Sequence, residues 1–139
     1  MERPTTAGER PRAAAGGFTL IELITVIALI GILAAIALPN YKAAIIQSKE
    51  AVLKEDLYRL RDSIDQYYVD KGRYPASLAA LVEDGYLRVL PADPFTGSAT
   101  WTEVFAEPDP DRPEEQPGVY DVKSMSELSS LGGTNYSEW

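Results

Sequence analysis

The 139-residue sequence contains no cysteine and no histidine. Without thiols there is no disulfide framework, no thiolate zinc site and no cysteine nucleophile. Without imidazole the usual general base is gone, and with it Ser-His-Asp chemistry and most transition-metal sites. Basic residues are also in short supply, with 13 Lys and Arg against 21 Asp and Glu. An acidic chain with no basic stripe is a poor nucleic-acid binder, so no nucleic-acid partner is expected. The length predicts one main domain.

What is present is unevenly spread. Residues 1–17 (MERPTTAGERPRAAAGG) hold Arg3, Arg10 and Arg12 against Glu2 and Glu9, which leaves 10 basic and 19 acidic residues for 18–139. Phe18 to Leu38 (FTLIELITVIALIGILAAIAL) is a 21-residue apolar run with one charge, Glu22. At a rise of ~1.5 Å per residue such a helix spans about 30 Å, the thickness of a bilayer's hydrocarbon core. Arginines before it and an acidic chain after it predict a cytoplasmic N-terminus and an extracytoplasmic body.

Two fates of this run are open. As a secretory signal peptide it would be cut after Ala35-Ile36-Ala37, releasing a soluble protein. As a permanent anchor it would stay. Glu22 favours the anchor. A carboxylate in an apolar span costs roughly 2.5–3.5 kcal/mol at a helix centre and less near an end, and a discarded signal has no use for it. An ionisable group in such a place calls for a partner, and no Lys or Arg lies within the run.

Beyond the run, Pro39 either ends the helix or bends it. Tyr41, Ile45, Ser48, Val52, Leu57, Leu60, Ile64 and Tyr67 then recur at spacings of three to five, one stripe of an amphipathic helix. Its other faces carry Lys42, Lys49, Glu50, Lys54, Glu55, Asp56, Arg59, Arg61, Asp62 and Asp65. The aspartates among them read as solvated ion pairs. Gly72 and Pro75 stop the helix, which is expected over Phe18 to about Val69. A short helix is expected from Ser77 to Glu83, with Ser77 as N-cap, Asp84-Gly85 as its end, and Leu78, Leu81 and Val82 inward. Strands are expected at Thr100–Phe105 and Val119–Lys123. Between them Ala106–Pro117 holds four prolines and five acids, the composition of a solvated loop. Tyr67, Tyr68 and Tyr74 are read as core and helix–sheet packing residues, with an aromatic binding cluster, or an electron-transfer stripe if stacked in a filament, as the other readings. The fold class is α+β: a long N-terminal helix, its first half transmembrane and kinked near Pro39, packed on a short helix and a small antiparallel sheet, with a structured C-terminal loop. Two or three strands alone are barely stable, so the sheet must lie on the helix.

Gly16-Gly17-Phe18-Thr19-Leu20-Ile21-Glu22 resembles the processing site of type IV pilins and pseudopilins. The resemblance implies that a prepilin peptidase cuts between Gly17 and Phe18, that the new Phe18 amine is methylated, and that Glu22, the fifth mature residue, pairs with the terminal amine of a neighbouring subunit. Residues 1–17 would be a leader, 18–38 a transmembrane and filament-core helix, and 39–139 an extracytoplasmic globular domain. Arg73-Tyr74-Pro75, Asp93-Pro94-Phe95-Thr96-Gly97, Gly118-Val119-Tyr120-Asp121-Val122-Lys123-Ser124 and the final Trp139 resemble the major, G-type pseudopilin of type II secretion.

That resemblance implies a structural subunit rather than an enzyme. It would lie in the inner membrane and then in a homo-oligomeric fibre that drives protein export, with minor pseudopilins and an assembly platform as partners and lipid around it before assembly. A type IV pilus subunit for adhesion, motility or DNA uptake is the alternative within the family. A soluble secreted domain released by signal peptidase is the alternative outside it. The resemblance further implies a calcium site in the C-terminal loop. Here the sequence departs from the pattern: Lys123 to Trp139 contains no aspartate, and Glu127 and Asn135 are the candidate ligands. The other reading of this loop is metal-free, held by Tyr136 and Trp139.

Overall fold

A computed structural model describes residues 16–108, 110–112 and 116–139. Most of the expected leader, and residues 109 and 113–115 of the expected proline-rich loop, lie outside the described residues. The element order is α1 (Leu20–Lys71), α2 (Leu78–Glu83), β1 (Thr102–Phe105), β2 (Val119–Lys123) and a 3₁₀ turn (Tyr136–Glu138). This is the α+β class. The described residues fall into two units, one ending at Pro39 and the other running from Asn40 to Trp139.

The first unit is a helix that is apolar all round. Its large side chains from Phe18 to Leu38 are exposed, and the segment is long and apolar enough to cross a bilayer. A helix with no polar face needs lipid or other helices around it. Pro39 lies inside α1 rather than ending it.

The second unit, Asn40–Trp139, owes its core to the stripe on its part of α1. Leu53, Leu57, Leu60, Ile64 and Tyr67 are buried and follow one another by three or four residues. The inward residue at the upper end of the stripe is Leu53, whereas Val52, Tyr41 and Ile45 are exposed. Leu78 and Leu81 of α2, Trp101, Val119 and Val122 around the sheet, and Tyr136 complete the cluster. Each fully buried leucine is worth about 1.5–3 kcal/mol relative to exposure. Val82, expected inward, is half-buried.

Backbone chemistry sets the ends of the elements. Gly72, at φ 68°, donates to Tyr68 O at 2.8 Å and closes α1 two residues beyond the expected end. Both Schellman bonds close α2: Tyr86 N–H to Leu81 O at 2.9 Å and Gly85 N–H to Val82 O at 3.2 Å, with Gly85 at φ 82°. The expected Ser77 cap is different in detail. Ser77 occupies the N-cap position without a side-chain bond, and Glu103 Oε1 on β1 accepts the Leu78 N–H at 2.8 Å instead. A carboxylate from the sheet thus caps the helix that packs beside it.

The two strands are antiparallel, pairing Thr102 with Lys123, Glu103 with Val122, Val104 with Asp121 and Phe105 with Val119. The extra residue on β2 is Tyr120, a bulge. β1 starts two residues later than expected, whereas β2 has the expected limits. The sheet is anchored to α1 by Arg61. Its guanidinium donates to Asp121 Oδ1 at 2.7 Å, to Val122 O at 3.0 Å and to Trp139 O at 2.5 Å.

Two side-chain readings change on folding. Asp56, expected on a solvated face, is buried. Desolvation pushes its carboxyl above the usual range and nearby Glu55 and Asp93 add to the rise, while Arg59 opposes it. Because the folded-state pKa is raised, Asp56 costs stability as pH rises above the unfolded value of 3.8, in full once pH exceeds its folded value, and nothing below 3.8. Asp56→Asn is therefore expected to melt higher than the parent at pH 7, and the two are expected to converge as the pH falls below that value; melting curves across the pH range check the sign. Of the three tyrosines expected to pack, Tyr67 is buried and Tyr74 half-buried, whereas Tyr68 stays exposed. Tyr67 lies 5.2 Å from Tyr86, and Tyr68 stacks on Tyr74 at 4.5 Å.

Candidate functional site

The N-terminal site is built on the start of α1. Gly16 to Thr19 precede the helix. Thr19 is its cap: its Oγ1 accepts the Glu22 N–H at 3.2 Å, and its carbonyl accepts the Leu23 N–H at 3.2 Å. Thr19 and Glu22 stand in the Thr-x-x-Glu spacing of a capping box. Glu22 thus sits in the first turn, where the exposed amides and helix dipole favour negative charge. A second hydroxyl, Thr25 Oγ1, donates to Glu22 O at 2.8 Å. Among the described residues the Glu22 carboxylate makes no hydrogen bond or ion pair. Gly17 and Phe18 are exposed just before the cap, and a Cβ built on Gly16 or Gly17 would meet nothing within 4 Å. Composition singled out Glu22 but not Thr19, although the capping spacing was present in the sequence.

The second candidate site is the C-terminal loop of the globular unit. It folds back on itself in a small ladder. Tyr136 N–H bonds to Leu128 O at 3.0 Å, Ser130 N–H to Thr134 O at 2.7 Å and Gly133 N–H to Ser130 O at 3.0 Å, with a bridge between Ser129 and Asn135. The Ser130 and Thr134 hydroxyls bond to each other at 3.0 Å. Buried Asp93 ties the preceding turn to this loop. Its Oδ1 accepts the Phe95 N–H at 2.8 Å, and its Oδ2 accepts the Ser124 hydroxyl. Phe95 stacks on Tyr136 at 3.9 Å, and Trp139 meets Tyr136 edge-on at 5.1 Å. Lys54 Nζ lies 4.6 Å from the centre of the Trp139 ring. Tyr136 and Trp139 therefore dock as expected.

Among the described residues the expected calcium ligands, Glu127 and Asn135, stand without the cluster of carboxylates on which a calcium site draws. Calcium takes six to eight oxygens, several of them carboxylate. Glu127 is exposed, and Asn135 Oδ1 already accepts the Ser129 hydroxyl at 3.2 Å. Among the described residues no three His, Cys, Asp or Glu side chains come together.

The family model of the prokaryotic N-terminal methylation motif matches residues 12–38. The chain is 37% identical over 95 residues to the type II secretion system core protein G of Pseudomonas aeruginosa, covering 57% of this chain and 67% of that protein. It is 34% identical over 97 residues to the protein of the same name from Klebsiella michiganensis, covering 58% and 68%. Fimbrial protein EcpC of Eikenella corrodens is 48% identical over a shorter 64 residues, 46% of this chain and 42% of that protein. No solved structure matches.

An apolar helix that begins at a methylation motif and continues into a small α+β head defines a pilin-like filament subunit. Within that class, the chain belongs to the type II secretion system core protein G family, the major pseudopilins, which are structural subunits of the pseudopilus. The methylation motif and the apolar helix are consistent with a single-pass anchor in the inner membrane.

Proposed function

We propose that prepilin peptidase removes residues 1–17 by cutting between Gly17 and Phe18, that the Phe18 amine is methylated, and that the subunit waits in the inner membrane with its N-terminus cytoplasmic and its 39–139 domain outside. An assembly platform then draws it, with minor pseudopilins as partners, into a homo-oligomeric fibre whose core is the 18–38 helix. Pro39 is the point at which the helix adjusts its direction or hydrogen bonding for that packing. The subunit works as a structural element and not as an enzyme. The observation that carries this reading is Glu22, a carboxylate without a partner among the described residues, four positions after Phe18 on a helix with no polar face.

The chemistry supports the pairing. A free α-amine has a pKa of about 7.7–8.0 and is largely cationic at neutral pH. Set beside Glu22 of a neighbour in an apolar bundle, it neutralises a charge that is costly alone and sets the stagger of the helices. The likeness to a fimbrial protein keeps a type IV pilus subunit as the second reading, whereas the longer matches to core protein G favour secretion.

The test is the intact mass of the protein from its native membrane fraction. Residues 18–139 plus one methyl group is the expected result. A soluble species beginning at Leu38 would mean signal-peptidase cleavage and would overturn the reading.

A further inference from the structure

Glu50 lies on α1 among residues that the sequence places on a solvated face. In the structure it is half-buried beneath the C-terminal loop. Its Oε1 accepts the Leu131 N–H at 2.8 Å and the Tyr136 hydroxyl at 2.9 Å. Tyr136 is almost wholly buried, and burial together with the Glu50 carboxylate pushes its phenol up to about 12. The phenol is therefore a permanent donor at physiological pH.

This arrangement has the opposite polarity to a cation site. Calcium holds a loop by drawing oxygen acceptors inward around a positive centre. Here the loop turns two donors inward, toward a negative centre on α1. Four acceptors around them each already take a hydrogen bond: Leu128 O, Ser130 O and Thr134 O from backbone amides of the loop itself, and Asn135 Oδ1 from the Ser129 hydroxyl. Two positive side chains flank the region, with Lys54 Nζ over Trp139 at 4.6 Å and Lys49 Nζ 5.9 Å from the Phe95 ring. Both would repel an incoming divalent ion.

We infer that Glu50 closes the C-terminal loop onto α1 in place of a divalent cation, so that the head of this subunit folds without calcium. The Glu50 carboxylate, Tyr136 and the Ser130–Thr134 turn together form the latch. This inference concerns the latch alone and stands whether the fibre serves secretion or a pilus.

The experiment is thermal melting of the full chain in detergent micelles, with millimolar calcium and with excess chelator. The parent protein is expected to melt at the same temperature in both. Glu50→Ala is expected to lower the midpoint by about 5 °C or more, equally in both, because it leaves a buried hydroxyl and an amide without an acceptor. Glu50→Gln keeps an acceptor oxygen and is expected to restore part of the loss. Glu127→Ala is expected to change the midpoint in neither condition. A calcium-induced rise in the parent that Glu127→Ala removes would overturn the inference, as would a Glu50→Ala protein that melts like the parent. If Glu50→Ala fails to fold, the parent's response to calcium and the Glu50→Gln midpoint decide alone.

Discussion

Replacing Glu22 with alanine is expected to leave leader removal intact and to cut pseudopilus assembly by about 100-fold or more. Two effects of opposite sign meet at this residue. In the membrane an unpaired carboxylate is a burden, at most roughly 2.5–3.5 kcal/mol and less near the end of a span. The helix N-terminus offsets part of it, since Glu22 sits in the first turn of α1. Alanine removes this burden, so the variant should insert and persist in the membrane at least as well as the parent. In the fibre, with Glu22 paired to a neighbour's amine as proposed, the balance reverses. Removing one member of a buried ion pair leaves the other charge uncompensated, at a cost of about 3–5 kcal/mol. At 1.4 kcal/mol for each factor of ten, that corresponds to roughly 100-fold to over 1,000-fold in the constant for adding a subunit.

The measurement has two parts. Intact mass reports cleavage and methylation, and immunoblots of sheared fibres report assembly against the membrane pool. Glu22→Gln is informative beside alanine. It keeps the oxygen acceptor and loses the charge, and it should assemble poorly if the pair is ionic. Normal fibres from Glu22→Ala would remove the pairing model. Loss of cleavage would instead place Glu22 in peptidase recognition.

How much of this was legible beforehand follows from the range of each interaction. The apolar run, the Leu57, Leu60, Ile64 and Tyr67 stripe, the glycine stops after α1 and α2, and strand β2 are all local patterns, and they lie where periodicity and turn chemistry place them. Thr19 is local too; its capping role was present in the spacing to Glu22 but hidden by the apolar character of the segment. The Val52 position fails because two adjacent apolar residues satisfy the same loose spacing, and only packing chooses Leu53. The contacts that organise the head are long-range. Glu50 bonds to residues 81 and 86 positions away, and Arg61 to residues 60 and more away. Charged residues on an amphipathic helix look alike in sequence, so nothing separates Glu50, Asp56 and Arg61, which are drawn under the loop and sheet, from Glu55 and Arg59, which pair in solvent.

Gly118→Ala is expected to be the most damaging single methyl group in the head. Gly118 sits just before β2, where the chain crosses the Tyr74-Pro75 backbone. Val119 N–H donates to Pro75 O at 2.8 Å, and Gly118 O accepts the Ala106 N–H at 2.8 Å. A Cβ on Gly118 would stand 2.6 Å from both Tyr74 Cβ and Tyr74 O, and 2.7 Å from Tyr74 C. These are backbone-fixed atoms, so no side-chain rotation relieves the overlap. Moving Tyr74 away would strain the Val119–Pro75 bond and the Tyr68–Tyr74 stack together. Overpacking of this kind costs typically 1–3 kcal/mol and more where nothing can yield. A loss near 3 kcal/mol corresponds to a fall of about 12–24 °C in melting temperature for a head of this size. Gly132→Ala is the matched control, because its new Cβ would meet only Ser130 Oγ, at an ordinary 3.7 Å. Its midpoint is expected to stay close to the parent's. Equal melting of the two variants would mean that the head tolerates a wider approach between Tyr74 and β2 than the structure describes.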